Sequence, residues 1–336
     1  MNIIVTGGGG FIGQNLCKKL LENSGNTLLC IDNFSTGDPE VINELVHHDG
    51  HDRLHVLRCD IEGNINEHNQ AKRMNEHTIE VFGKEGVDEI YHLACPASPV
   101  AYQSDPIKTM MTSVVGTKNM LDIATFHDAK ILFTSTSEIY GDPQREIQDE
   151  DYRGNVNCIG PRACYDEGKR AAESLCFDYN RTHKTKIKVV RIFNTYGPGM
   201  QPDDGRVVSN FIIQALQGRD FTIYGDGKQT RSFCFVDDMV DGLMSMMASS
   251  STITGPINLG NPREITVKKL ATMILDIVST TTKMIYCDLP ADDPQRRKPD
   301  ISQARTLLAW HPLCSLERGL AYTIDYFKTK VGDNKS

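Results

Sequence analysis

The sequence predicts an α/β fold, a doubly wound parallel sheet with a smaller C-terminal substrate-binding lobe. Two observations predict it. Up to Ile192, β-branched runs alternate with longer amphipathic stretches, the βαβα rhythm that builds a parallel sheet covered by helices on both faces. A glycine-rich turn, Thr6-Gly7-Gly8-Gly9-Gly10-Phe11-Ile12-Gly13, also joins the first such run to the first amphipathic stretch.

The elements follow in order. Asn2–Thr6 is a short apolar run that ends at the glycine turn, so it reads as the first strand, with a helix over Phe11–Leu21 behind it. Thr27–Asp32 and Leu54–Cys59 are the next strand candidates, followed by a polar, extended helix over Ile65–Phe82. Asp88–Leu93 and Lys130–Thr134 flank a helix that starts with Pro106 and runs to Ala124. A helix over Pro161–Arg181 leads to the β-branched run Lys186–Ile192. Beyond Asn194 the rhythm breaks, and Gly- and Pro-rich turns (Tyr196–Gly205, Tyr224–Lys228, Asp292–Pro299) separate shorter elements. The division expected is a Rossmann-type domain over residues 1–194 and a lobe mainly over 195–336, with segments free to interleave. Ligands of open α/β sheets bind at the C-terminal edge of the strands, so chemistry is expected in the loops after them.

Composition bounds the function. With 336 residues the chain can bury a large core, and its 39% hydrophobic and 24% charged residues are ordinary for a globular protein. A net charge of −8 argues against a nucleic-acid surface, but a local arginine cluster still suits an anionic small substrate. Apolar runs such as Ile187–Phe193 stop well short of a membrane span. The chain enters a strand at once, which gives a cytoplasmic location as the expectation. The ten cysteines show no C-x-x-C pair and no Cys/His ligand spacing, so they are expected to be reduced structural thiols, with no metal.

The chemistry starts at the glycine turn. Gly7, Gly10 and Gly13 allow a tight turn, close approach of a pyrophosphate and close helix–strand packing, while the N–H groups that open the helix face the phosphates. Asp32, at the end of the second strand, is placed to hold the adenosine ribose hydroxyls, and its charge disfavours a 2′-phosphate. The expected cofactor is therefore NAD. Asp60, after the third strand, is placed to meet the adenine. A second constellation is Tyr165-x-x-x-Lys169, on one face of a helix, with Thr136 just beyond the fifth strand. A neutral phenol is a poor base. An ammonium about 5 Å away contributes roughly 3 kcal/mol at an effective dielectric of ~20, about two pKa units. So assisted, Tyr165 can deprotonate a sugar hydroxyl as hydride leaves the same carbon, with Thr136 hydrogen-bonding that oxygen.

This arrangement resembles the extended short-chain dehydrogenase/reductase superfamily of nucleotide-sugar enzymes. The nearer likeness is to the UDP-glucuronate decarboxylase (UDP-xylose synthase) family. It rests on long strings, among them His92-Leu93-Ala94-Cys95-Pro96-Ala97-Ser98-Pro99, Ser135-Thr136-Ser137-Glu138-Ile139-Tyr140-Gly141 and Gly160-Pro161-Arg162-Ala163-Cys164-Tyr165. Arg191-Ile192-Phe193-Asn194-Thr195-Tyr196-Gly197, Asp204-Gly205-Arg206-Val207 and Arg296-Arg297-Lys298-Pro299-Asp300 extend it to the C-terminal half.

The resemblance implies NAD-dependent decarboxylation of UDP-glucuronate to UDP-xylose. C4 is oxidised, CO2 leaves from the β-keto acid, and the 4-keto-pentose is reduced again by the same cofactor. It implies Thr136, Glu138, Tyr165, Lys169 and Arg231 as catalytic residues. For NAD it implies Gly7, Gly10, Phe11, Ile12, Gly13, Asp32, Asn33, Phe34, Thr36, Gly37, Asp60, Ile61, Leu93, Ala94, Cys95 and Thr112, together with Tyr165 and Lys169. For the sugar nucleotide it implies Pro96, Tyr102, Ser137, Asn194, Arg206, Tyr224, Arg231 and Arg297. Glu138 and Arg231 are expected to position the sugar carboxylate and the proton that returns to C5. A homodimer through a four-helix interface is implied as well, formed by Pro106–Ala124 and Pro161–Arg181.

Other readings stay open. Dehydratases place an acid where Ser137 stands, and plain 4-epimerases usually lack the glutamate at 138, so both are disfavoured. A non-catalytic NAD-sensing module is the alternative from another class, set against the retention of Thr136, Tyr165 and Lys169 together. The chain departs from the family pattern at Cys95, usually serine, at Met111, where a lysine is expected, and in the longer segment Glu62–Gly86.

Overall fold

The structure, a computed structural model, describes residues 1–48, 53–63, 69–202, 204–288 and 297–333. Its centre is a seven-stranded sheet. In chain order the first six strands are β1 (Asn2–Thr6), β2 (Thr27–Asp32), β3 (Leu54–Arg58), β4 (Glu89–His92), β5 (Lys130–Thr136) and β6 (Lys186–Ile192). The seventh, Ile257–Leu259, comes from the C-terminal half and pairs with β6. Across the sheet the order is Ile257–Leu259, β6, β5, β4, β1, β2, β3, and every pairing is parallel. The order reverses between β1 and β4, which opens the crevice where doubly wound sheets take their ligands.

Both faces of the sheet are buried, and the sequence shows why. In β1, Ile3 and Val5 point into one core with Leu28, Cys30 and the apolar residues of the C-terminal half. Ile4 points the other way, into a second core with Leu29, Ile31, Ile90 and Ile131. Strands buried on both sides need apolar residues at successive positions, which is why they read as continuous runs.

The expected helices form, with three differences. The helices of the first half are α1 (Phe11–Leu21), α2 (Pro39–His48), α3 (Gln70–Phe82), α4 (Pro99–Ser104), α5 (Pro106–Met111), α6 (Thr117–Phe126) and α7 (Ala163–His183). Of the expected polar helix Ile65–Phe82, residues 65–68 lie outside the described residues. The short helices α2 and α4 escaped the periodicity; α4 is set by its caps, Ser98 accepting the Ala101 N–H and Pro99 at the first position. The expected continuous helix Pro106–Ala124 is interrupted by a π-turn over Thr112–Gly116. There Gly116 packs under Ile61, and Gly168 of α7 packs on Ser113.

The chain after Asn194 returns to the sheet. Helix Val236–Ala248 packs in the same core as α1, and Ile257–Leu259 completes the sheet edge. Three further pairs lie apart from it, Thr195–Tyr196 with Cys234–Phe235, Phe221–Tyr224 with Met284–Cys287 and Thr230–Ser232 with Glu264–Thr266. No helix among the described residues is long and apolar enough to cross a membrane. All ten cysteines are described, and none is in a disulfide.

Candidate active site

A cavity of about 320 Å³ opens at the crevice between β1 and β4, over the C-terminal ends of the strands. Its floor is the glycine turn. Gly7 has φ of +71°, and a Cβ there would lie 2.8 Å from the Ala94 nitrogen, so only glycine fits where β1 passes the loop after β4. Gly13 is closer still, since a Cβ would meet the Gly7 carbonyl oxygen at 2.0 Å. Gly10, the N-cap of α1, meets only the Gly7 oxygen, at 3.2 Å, and has no side chain to cap the helix. The first turn of α1 is thus presented to the cavity, with Phe11 and Ile12 beside it.

Asp32 fixes the far end of the cradle. One carboxylate oxygen accepts the Gly9 N–H at 2.9 Å and the other the Phe34 N–H at 2.7 Å. Burial pushes its carboxyl up, against those backbone hydrogen bonds. Phe34 takes a left-handed backbone, φ 56°, to make its bond, and its ring covers Gly9. Gly37 packs on the Gly9 and Gly10 backbone, while Asn33 and Thr36 line the cavity. Asp60 lies beneath, receiving Asn33 Nδ2 at 2.5 Å and Lys108 Nζ at 2.7 Å. Burial opposes its charge, but the bonds from Lys108 and Asn33 win and hold the carboxyl below its ordinary range. Ile61, Leu93, Ala94, Cys95 and Thr112 form the walls. The π-turn brings Ser113 to Cys95, Oγ to Sγ at 3.2 Å. A cradle closed to any side chain at Gly7 and Gly13, open at Gly10 and ending in a carboxylate suits a dinucleotide without a 2′-phosphate.

Tyr165 and Lys169 enter this cavity from α7. Lys169 Nζ donates to the Thr134 carbonyl at 2.9 Å and lies 4.8 Å from the centre of the Phe133 ring. Burial lowers its pKa. Burial also pushes the Tyr165 phenol well above its ordinary value, opposed by a hydrogen bond with Thr136. Desolvation therefore outweighs the lowering expected from Lys169, whose ammonium is turned to the Thr134 carbonyl. Thr136 caps a 3-10 turn, Ser137–Tyr140, accepting the Glu138 N–H at 3.2 Å, so the threonine beside Tyr165 also sets where Glu138 begins.

Glu138 has partners that the sequence reading did not name. Its carboxylate is gripped by the guanidiniums of Arg297 and Arg162, both oxygens engaged. All three side chains are largely buried. Arg231 instead donates to the Thr230 carbonyl at 2.9 Å, in the strand Thr230–Ser232. Tyr102 stacks on Tyr165 with ring centres 5.0 Å apart and planes 6° from parallel. Its hydroxyl is buried without a partner among the described residues, and burial raises it to about 12 despite the pull of Arg162 and Arg297. Pro96 and Arg206 line the cavity, Arg206 held by Asp204 at 2.7 Å with its guanidinium 5.4 Å from the centre of the Phe11 ring. Ser137 is buried, Asn194 half-buried and Tyr224 exposed at the end of its strand, outside the cavity lining. Arg296 lies outside the described residues.

Residues 3–260 match the model of the NAD dependent epimerase/dehydratase family. The chain belongs to that family. UDP-glucuronic acid decarboxylase 5 of Arabidopsis thaliana is 47% identical over 336 residues, covering 100% of this chain and 92% of that protein. UDP-glucuronic acid decarboxylase 1 of Xenopus tropicalis is 45% identical over 329 residues, covering 98% of this chain and 72% of that one. Among solved structures, UDP-glucuronic acid 4-epimerase from Bacillus cereus, in complex with UDP-glucuronic acid and NAD, is 28% identical with a TM-score of 0.84. That match covers 98% of this chain and all of the epimerase chain.

Three side chains of the site escaped the sequence reading. Arg162 lies three residues before Tyr165, at the N-cap of α7, a proximity visible in the sequence. Lys108 had no signal, because its partner Asp60 is remote in sequence. The approach of Ser113 to Cys95 depends on the π-turn, which breaks the helical period that periodicity reads.

Proposed function

We propose that the protein converts UDP-glucuronate to UDP-xylose and CO2, with NAD reduced and reoxidised within one turnover. The observation that carries this reading is Glu138, two residues from Thr136 and clamped by Arg297 and Arg162 beside the Tyr165/Tyr102 stack. A carboxylate–guanidinium cluster at that place suits a sugar that carries its own carboxylate at C5. The identity to decarboxylases over the full chain supports the same reading.

Bound NAD would supply the acceptor for the C4 hydride and the donor that reduces the ketone again. Gly7, Gly10 and Gly13 with the first turn of α1 hold its diphosphate, and Asp32 its ribose. Tyr165 removes the C4 hydroxyl proton, helped by the Lys169 charge, while Thr136 donates to the same oxygen. The resulting ketone is β to the C5 carboxylate, so CO2 leaves as its bonding electrons pass into the ketone, and Tyr165 and Thr136 stabilise the enolate oxygen. Arg297 and Arg162 orient Glu138 and the sugar carboxylate, and this cluster controls the proton that returns to C5. Arg206, over Phe11, and Arg231 serve the anionic substrate from the C-terminal half, which we read mainly as the substrate lobe. Asn194, Tyr224, Pro96 and Ser137 complete that role on this reading. Ser137 is a much poorer acid than a carboxylic acid, which disfavours protonation of a departing hydroxyl and hence dehydration.

We also read the protein as a homodimer through α5–α6 and α7, whose exposed Ile107 and Phe126 suit a covered face, and as a cytoplasmic enzyme, where Cys95 in the pocket wall stays reduced. Sedimentation and cell fractionation test these two points. The function is tested by incubating protein and NAD with UDP-glucuronate: UDP-xylose and CO2 in equal amounts support it, and UDP-galacturonate or a dehydrated 4-keto product overturns it.

A further inference from the structure

Arg297 reaches Glu138 from a segment that, among the described residues, has no helix or sheet of its own to hold it; the first helix after it begins at Ser302. What holds that segment is the backbone and side chain of one buried residue 150 residues away in sequence. Gln148, 1% exposed, forms a one-residue parallel bridge to Pro299. Its N–H donates to the Lys298 carbonyl at 2.9 Å, and its carbonyl accepts the Asp300 N–H at 2.8 Å. Its side chain adds a third bond, Oε1 accepting the Lys298 N–H at 2.7 Å, while Nε2 donates to the carbonyls of Arg145 and Glu146. The residue next to Arg297 is thereby fixed at both its N–H and its carbonyl.

The latch is tied to the sheet. Asn258, in the edge strand Ile257–Leu259, donates to the carbonyls of Gln148 and Asp300, at 3.0 and 3.1 Å, and accepts the Tyr140 hydroxyl at 2.8 Å. Tyr140 ends the turn that carries Glu138, and Arg191 of β6 donates to its hydroxyl at 3.0 Å while paired with Glu173. Glu138 and Arg297 thus approach each other from two segments that meet at one buried polar network. Such networks fix a site to within a fraction of an ångström, and a displacement of about 1 Å at reacting groups costs on the order of 100-fold in rate.

We propose that Gln148 is a positioning residue that presents Arg297 to Glu138, acting on the steps after C4 oxidation and not on cofactor binding. This rests on the decarboxylase reading above. Removing the side chain leaves the part-buried Lys298 N–H without its acceptor, so the segment shifts until water or another group satisfies it.

The test uses the full chain with NAD and UDP-glucuronate. Gln148→Ala removes the side chain, and Gln148→Met keeps its volume without the acceptor. For each, CO2 release is followed with the absorbance of NADH in the first turnover and at steady state. The expected result is a loss of roughly tenfold or more in kcat for CO2 release in both variants, with first-turnover NADH formation within about twofold of the parent. The steady-state share of enzyme holding NADH rises, because oxidation continues while the later steps slow. Arg297→Lys gives the same split. An equal fall in NADH formation and CO2 release, or a parent-like Gln148→Met, overturns the proposal. A parent protein that forms no CO2 overturns the decarboxylase reading itself, a result separate from parent activity with unchanged Gln148 variants.

Discussion

Tyr165 carries two demands that pull against each other: burial holds its proton on, and catalysis takes that proton off. Thr136, hydrogen-bonded with the phenol, is the group that opposes that burial. Replacing the phenol by Tyr165→Phe is expected to lower kcat by about 10² to 10⁴ while leaving NAD affinity nearly unchanged, as measured by NAD titration and CO2 release. Glu138→Gln keeps the shape of the clamped side chain and removes its charge, so it separates positioning from proton transfer. The expected outcome is NADH formation in the first turnover with a slower appearance of UDP-xylose; loss of both steps together would assign Glu138 to oxidation instead. At this scale Tyr165, Lys169 and Thr136 were legible because fixed spacing and strand-end position reveal them. The partners of Glu138 were not. Arg297 comes from the far end of the chain, and only the fold shows that it, with Arg162, reaches the carboxylate.

The elements fix the cradle. Gly13→Ala places a methyl carbon 2.0 Å from the Gly7 oxygen, so α1 must move away from β1. The expected result is a loss of at least about 2 kcal/mol in stability together with weakened NAD binding, read by urea unfolding and cofactor titration. The join of β1 to β4 has a titratable pin. His92 accepts or donates at Thr6 Oγ1, 2.7 Å, and Thr117 Oγ1, 3.0 Å, and Thr6 in turn accepts the Ala94 N–H. Burial, aided by Lys169, lowers His92 from 6.5 to about 3. Its folded form is neutral, so below pH 6.5 the unfolded chain binds a proton that the fold does not, and stability falls as pH drops through that window toward 3. The effect is on the order of a few kcal/mol, and unfolding of His92→Gln between pH 4 and 6.5 is expected to show a shallower slope by up to one proton. A slope equal to the parent's would remove His92 as the cause. The six strands of the first half were legible to within two residues because each is an apolar run closed by polar or turn residues. The π-turn was not, since five residues that depart from the helical period are too few to alter a pattern nearly twenty residues long.

Over the whole molecule, the parallel sheet and its reversal between β1 and β4 place every loop that matters at one edge. The glycine turn after β1, Asp32 after β2, Cys95 after β4 and Thr136 at the end of β5 meet there because parallel strands all end on that side. This much follows from the βαβα rhythm. The return of Ile257–Leu259 to the sheet does not, because three residues of strand carry too little pattern to announce a partner, and the same return brings Asn258 to the network that holds Arg297. Proton NMR of a reaction with UDP-glucuronate and catalytic NAD decides whether this edge oxidises C4 of a glucuronate and then removes its carboxylate. The expected spectra show UDP-xylose as the accumulating product with no net consumption of NAD. UDP-galacturonate, or unchanged UDP-glucuronate with NAD bound, would contradict that reaction.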